Sequence, residues 1–214
     1  MEFMGYRREE GTVGVRNHVL VIPSVVCANR VARGISQMVQ GTTWVEHQHG
    51  CAQLGADAEL TKRVLVGHGT HPNVYGVVVV GLGCECVRAQ DVAAEIKQAC
   101  PCKPVHLVII QDEGGSAKAI AAGASAAARI VGEASRLSGT PVEVAEIILG
   151  TECGGSDACS GISANPALGV ACDRLIDAGG TVILAETTEL IGAEHLIAAR
   201  AVNPQVSARC YEVI

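Results

Sequence analysis

The residues Gly150-Thr151-Glu152-Cys153-Gly154-Gly155-Ser156-Asp157 set a thiol, two carboxylates and a serine hydroxyl beside a glycine pair, and Asn165 adds an amide shortly after. Glycines at a strand end let a ligand approach the backbone closely, and free N–H groups there bind anions. The chemistry expected is the holding of a small, negatively charged molecule by Gly154, Gly155, Ser156, Asp157 and Asn165. Cys153 is a candidate metal ligand in the same loop.

Three other segments carry groups able to do chemistry. His47-Gln48-His49-Gly50-Cys51 places two imidazoles and a thiol within five residues. Such a set could ligate Fe²⁺, Zn²⁺ or Mn²⁺ or supply an acid/base pair, and surface histidines are the plainer alternative. His47 is the candidate acid/base; His49 and Cys51 are candidate ligands. In Gly83-Cys84-Glu85-Cys86 the C-x-C spacing suits neither a zinc ribbon nor a thioredoxin-type dithiol, which leaves Cys84 as a metal or substrate contact. Glu186 closes an apolar strand, where a carboxylate needs a partner or a role. With Glu194-His195 it could abstract a proton and protonate a leaving hydroxyl, although Glu194 fits a solvated helix face equally well. Cys27, Cys172 and Cys210 read as small core hydrophobes, Cys86 as packing at a helix start, and Cys100-Pro101-Cys102 as an exposed connector. Gln111-Asp112-Glu113-Gly114-Gly115-Ser116 matches no nucleotide-binding pattern, and Ser116 reads as a helix cap.

These loops need strands and helices to position them. His18–Val26, Val77–Val80, Val105–Ile110, Val142–Leu149 and Thr181–Ala185 are apolar runs of strand length, with a shorter candidate at Thr43–Glu46. Helical periods cover Cys27–Val39, Ala56–Val66, Val87–Ala99, Ser116–Leu137, Asn165–Ala178 and Ile191–Ala201. Apolar strands alternating with helices predict an α/β fold with a largely parallel sheet and helices on both faces, and ligands outside the carboxyl ends of the strands. Cys100-Pro101-Cys102-Lys103-Pro104 suggests a division into two sub-domains, 1–102 and 103–214. The chain is 49% hydrophobic with 25 glycines and only five aromatic residues, so its core rests on Val, Ile, Leu and Ala. A net charge of -6 offers no basic patch for nucleic acid, and no run spans a membrane. Without a signal peptide, the ten cysteines point to reduced thiols in the cytoplasm rather than a disulfide framework.

Seven motifs in order resemble the altronate/galactarate dehydratase family, which includes the sulfolactate sulfo-lyase large subunit. They are Gly5-Tyr6-x-Arg8 with Gly14-Val15-Arg16-Asn17, His47-x-x-Gly50-Cys51, His71-Pro72-Asn73, Gly81-Leu82-Gly83-Cys84-Glu85, Glu152-Cys153-Gly154-Gly155-Ser156-Asp157, Ser160-Gly161-Ile162-x-Ala164-Asn165-Pro166-Ala167-Leu168-Gly169, and Gly192-Ala193-Glu194-His195. The resemblance implies a lyase acting on sugar acids or sulfonated hydroxy acids, dependent on a divalent metal, Fe²⁺ first with Mn²⁺ and Mg²⁺ as alternatives. Its chemistry is loss of the proton α to a carboxylate, then of β-hydroxide or sulfite. Arg16, Asn17 and Asn73 join the substrate-binding candidates on this basis. The resemblance also implies a second, dimerisation-type domain followed by the start of a Rossmann-like C-terminal domain, and a homodimer. Family members carry a small β-clip domain before these regions and a further C-terminal segment after them. Ending at Ile214, this chain is expected either to draw those parts from partner subunits or to be a reduced relative. A non-catalytic binding or assembly subunit, and a metal or redox sensor using Cys51, Cys84 and Cys153, are the alternatives.

Overall fold

The computed structural model describes all 214 residues. They form two units, Phe3–Val142 and Glu143–Ile214 with Met1–Glu2.

The first unit opens with β1 (Glu2–Arg7) and β2 (Val13–Gly14), paired antiparallel with Tyr6 opposite Gly14. The polar, glycine-punctuated opening of the chain thus folds as a small sheet. Its main sheet uses β3 (His18–Pro23), β4 (Thr42–Trp44), β5 (Val74–Gly81) and β6 (Val105–Ile109), all parallel, in the order β4-β3-β5-β6. Around it lie α1 (Asn29–Met38), α2 (Gly55–Thr70), α3 (Ala89–Ala99) and α4 (Ser116–Ala134). β7 (Thr140–Glu143) joins β1 in the small sheet.

The period of two in a strand sorts the apolar side chains between two cores. Val19, Val21, Val78, Val80 and Val108 face Val31 and Ile35 of α1 and Ala127 and Ile130 of α4. Leu20, Ile22, Val77, Val79 and Ile109 face Leu65 of α2 and Val92 and Ile96 of α3. Val77 to Val80 are all 0% exposed, and burial of each such side chain is worth about 1.5–3 kcal/mol. A strand apolar on both faces therefore sits at the sheet centre, which is why its run is continuous.

The division expected at 102/103 falls at 142/143 instead. β6 pairs in register with β5, Val79 opposite Leu107, so residues 100–104 are a turn inside the first unit. Cys102 is exposed as expected but Cys100 is buried, while Cys27 and Cys86, expected to pack, are exposed and Cys172 and Cys210 are only half-buried.

The second unit is a single parallel βαβ element: β8 (Ile148–Thr151), α5 (Ala164–Asp177) and β9 (Thr181–Leu184), in register from Ile148–Thr181 to Thr151–Leu184. The run expected as one strand over 142–149 is broken by a 3-10 turn at Val144–Glu146. A second 3-10 turn, Thr187–Leu190, then α6 (Glu194–Ala198) and α7 (Pro204–Val213) complete the unit. α7 starts with Pro204 in its first turn and Asn203 Oδ1 accepting from Val206 N–H, an ordinary N-cap. Of the unit's apolar residues only Ala198 is buried; Ile148, Ile183, Leu184, Ile191 and Val202 are exposed.

Candidate functional site

Two sets of loops carry the candidate residues, one in each unit.

In the second unit, the ends of β8 and β9 and the start of α5 surround an open cleft of ≈ 930 Å³. Its lining runs from Thr151 through Asp157 and includes Ser160, Ala164, Asn165, Glu186 and Glu189. These strand ends are carboxyl ends, the position a parallel βαβ unit gives a ligand. Donor atoms of Cys153, Glu186 and Glu189 all lie within 4.8 Å of one another. Glu186 Oε2 also accepts from the Cys153 N–H at 2.8 Å, tying the two strand ends together. Glu186 holds this place with φ 60° and ψ 60°, a left-handed conformation that costs a non-glycine residue about 1–3 kcal/mol. Such strain marks a position that the surroundings dictate. The charge of Glu186, with burial and a hydrogen bond to the same group adding to it, holds the Glu152 carboxyl above its ordinary range. A Cβ built on Gly154 or Gly155 would meet nothing, so the glycine pair faces open space. Asp157 Oδ1 accepts from Cys159 N–H and Ser160 Oγ accepts from Asp157 N–H, which shapes the turn into α5.

The cleft is acidic. It is lined by Glu152, Asp157, Glu186 and Glu189 and by no Lys, Arg or His. Glu152 stands in the loop motif and Glu189 lies one helical turn beyond Glu186, which brings both carboxylates into the cleft. Glu194 and His195 are absent from the lining. Glu194 Oε1 accepts from Gly192 N–H at 2.8 Å, which lowers its pKa and fixes the turn before the short α6. Glu186 is half-buried two residues beyond the exposed strand β9, so its place comes from its bond to Cys153 and not from deep burial.

In the first unit the carboxyl ends of β3, β4 and β5 carry His47, His49, Cys51 and Cys84. The three loops are bonded to one another. His47 Nε2 lies 2.8 Å from the Pro23 carbonyl, Asn29 Nδ2 donates to the His47 carbonyl, and Val26 N–H donates to the His49 carbonyl. The Gly50 carbonyl accepts from both Cys86 N–H (3.0 Å) and Val87 N–H (3.2 Å). His47 Nδ1 accepts from His49 N–H and Nε2 donates to the Pro23 carbonyl, so both ring nitrogens are engaged. The His47 and His49 rings stack with centroids 6.1 Å apart and line a groove of ≈ 470 Å³ with Gln53, Asp57 and Leu60. Cys51 and Cys84 are exposed.

Arg16, Asn17 and Asn73 lie at the other edge of this sheet, immediately before β3 and β5. Asn73 Oδ1 accepts from Val15 N–H (2.7 Å) and Arg16 N–H (3.2 Å). Asn17 joins Arg8 Nη1 to the Ala134 carbonyl, and Arg8 Nε donates to the Pro72 carbonyl. These motifs knit the amino edge of the sheet, and the structure does not bring them to His47, Cys51 or Cys84.

Comparison with known proteins agrees with this architecture. Residues 5–135 match the family model described as D-galactarate dehydratase/altronate hydrolase, second domain, and residues 144–214 match D-galactarate/altronate dehydratase, C-terminal. The two matches meet where the structure divides. Over 97% of its length the chain is 40% identical to the (2R)-sulfolactate sulfo-lyase subunit beta of Chromohalobacter salexigens, covering 52% of that protein. It is 36% identical to the altronate dehydratase of Bacillus subtilis over 99% of its length, and 32% identical to the L-threo-forming galactarate dehydratase of Escherichia coli over 98%, covering 44% of each. The chain spans about half the length of the curated relatives it matches. The chain belongs to the D-galactarate dehydratase/altronate hydrolase family.

Proposed function

We propose that this chain is a component of a divalent-metal-dependent lyase that removes water, or sulfite, from a small hydroxy acid. The acidic lining of the second-unit cleft is the observation that carries this reading. An anionic hydroxy acid is repelled by Glu152, Asp157, Glu186 and Glu189 unless a cation stands between them, and Cys153, Glu186 and Glu189 present one soft and two hard donors at ligand spacing. The thiolate in that set suits Fe²⁺ better than ions that prefer oxygen ligands alone, with Mn²⁺ the alternative through the two carboxylates. When bound, the ion supplies Lewis-acid stabilisation of the negative charge that develops as the α-proton leaves.

The chain's own groups divide the remaining work. Gly154 and Gly155 admit a substrate carboxylate to the backbone, and Ser156, Asp157 and Asn165 orient its hydroxyls. Glu152, whose pKa is raised first by the neighbouring Glu186 charge, is the carboxyl proposed to take the α-proton when ionised or give one to the departing hydroxyl when protonated. His47, with both ring nitrogens engaged, holds the first-unit loops. His49, Cys51 and Cys84 stay as ligand candidates on that unit, and Glu194 and His195 as residues acting outside the cleft lining.

An assembly role is part of the same reading. A two-stranded parallel sheet with exposed apolar faces lacks the cover such sheets require. Further polypeptide, as a C-terminal partner, a small β-clip subunit or a second copy of the chain, is proposed to complete it. No helix is long and apolar enough to cross a membrane, and a cytoplasmic enzyme fits the reading.

The test is anaerobic loading with Fe²⁺ or Mn²⁺, then incubation with a panel of aldonates, aldarates and sulfolactate, alone and with the unmatched region of a relative added. Formation of a 2-keto acid, or release of sulfite, is expected. Loaded protein that turns over no member of the panel in either form overturns the lyase reading.

A further inference from the structure

Glu85 is a buried carboxylate that the reading above leaves without a task. It is 8% exposed, at the end of the central strand β5, and no basic side chain pairs with it. Its oxygens are fully committed instead. Oε2 accepts from Gly83 N–H at 2.6 Å; Oε1 accepts from Ser24 Oγ at 3.1 Å and from Ala89 N–H at 3.3 Å. Burial pushes the carboxyl pKa up, and these donors together with its own backbone N–H more than reverse that, leaving it below the ordinary range. One side chain thus joins the loop after β3, the Gly81–Glu85 turn and the start of α3.

The surroundings are cut to fit this carboxylate. A Cβ on Gly81 would overlap Glu85 Oε1 and lie 2.6 Å from Ala89 Cβ, so glycine is needed there for space. Ser24, held by Glu85, in turn packs on Gly50: a Cβ at Gly50 would overlap the Ser24 carbonyl and lie 2.7 Å from Val25 Cα. The Gly50 carbonyl then receives Cys86 N–H and Val87 N–H. The connections close a ring, Glu85–Ser24–Gly50–Cys86, with Cys84 and Cys51 each attached directly to a member.

We propose that Glu85 is a positioning residue whose carboxylate fixes how the Cys51 and Cys84 thiols are presented at the carboxyl edge of the sheet. It does not touch a ligand, because neither oxygen is free to do so. The value of this frame to catalysis rests on the lyase reading; the frame itself does not. Glutamine cannot replace the carboxylate, since its NH₂ would face the N–H of Gly83 or Ala89 and put two donors together.

The test compares the full chain with Glu85→Gln and Ser24→Ala by amide exchange and by mass-resolved alkylation of each thiol with iodoacetamide. Cys102 and Cys159, exposed and outside the ring, serve as internal controls. In Glu85→Gln, exchange at Gly83 and Ala89 is expected to rise about tenfold or more, the effect of losing a charged hydrogen bond. Alkylation of Cys84 and Cys51 is expected to change at least about threefold relative to the controls. Ser24→Ala, which leaves Glu85 in place, is expected to alter the same two thiols in the same direction by less. Unchanged ratios in the folded variants overturn the proposal, as does a uniform acceleration of all thiols, which would make Glu85 a stability residue only. If Glu85→Gln does not fold, Ser24→Ala decides alone. Thiol ratios do not depend on turnover, so failure of the lyase reading and failure of this proposal give different results.

Discussion

Replacing Gly81 with alanine tests the packing on which the first-unit loops depend. The new methyl must displace Glu85 Oε1 and press Ala89 Cβ at 2.6 Å and Ile109 Cδ1 at 2.9 Å. Overpacking of this kind costs about 1–3 kcal/mol. Loosening a charged hydrogen bond adds about 1.5–3 kcal/mol, and the lower entropy of an unfolded alanine returns about 0.4–1 kcal/mol. The net expectation is a loss of about 1.5–5.5 kcal/mol. With a urea m-value of about 2 kcal/mol/M, the midpoint falls by about 1–3 M. Trp44, the single tryptophan, sits on β4 and reports the first unit alone by fluorescence. Gly67→Ala is the matched control: in mid-helix α2 its Cβ meets nothing, so a gain of about 0.5–1 kcal/mol is expected. A Gly81→Ala midpoint at or above that of the unsubstituted protein would refute the reasoning, as would both variants moving the same way.

Two further outcomes follow from the first unit. Asn73→Ala removes the acceptor for the Val15 and Arg16 N–H groups and should cost about 1–2 kcal/mol in urea, while leaving metal affinity untouched, because the amino edge is structural; a selective loss of metal or substrate binding would reverse that assignment. His71 and His106 have pKa values lowered by burial first and by nearby cations, Lys103 for His71 and Arg129 for His106. The unfolded chain therefore takes up these protons first. Stability is complete above the unfolded pKa of 6.5 and declines as pH falls from there through the folded values. Urea midpoints measured from pH 7.5 to 5 should fall less steeply in the His71→Gln/His106→Gln variant, and an unchanged slope would contradict the sign argument.

The central sheet was legible because β3 and β5 lie between other strands with both faces covered, and so carry the continuous apolar runs Val19–Ile22 and Val77–Val80. α4 was legible from its length and alanine content. The second unit misled for the same reason in reverse: Ile148, Ile183 and Leu184 look like core residues and are exposed, since too few layers surround them. Pattern reports what a side chain would bury against, not whether the cover is present. The Gly154-Gly155 loop and Glu186 stand out in sequence by residue density, and the fold sets them along one cleft. Asn17 and Asn73 were not, because an amide that binds substrate and one that satisfies two backbone N–H groups look alike in sequence. Glu85 was passed over beside Cys84, since only the fold shows that both its oxygens are enclosed by donors.

The most direct measurement of the central claim is anaerobic titration of the full chain with Fe²⁺, or with Co²⁺ as a spectroscopic stand-in, against Cys153→Ser and Glu186→Gln. One ion should bind the unsubstituted chain, with a thiolate-to-cobalt absorption lost in Cys153→Ser and an affinity at least about tenfold weaker in Glu186→Gln, the loss of one of three ligands. Binding of equal strength in all three proteins, or a thiolate band that survives in Cys153→Ser, would contradict the assignment of the metal to the second-unit cleft.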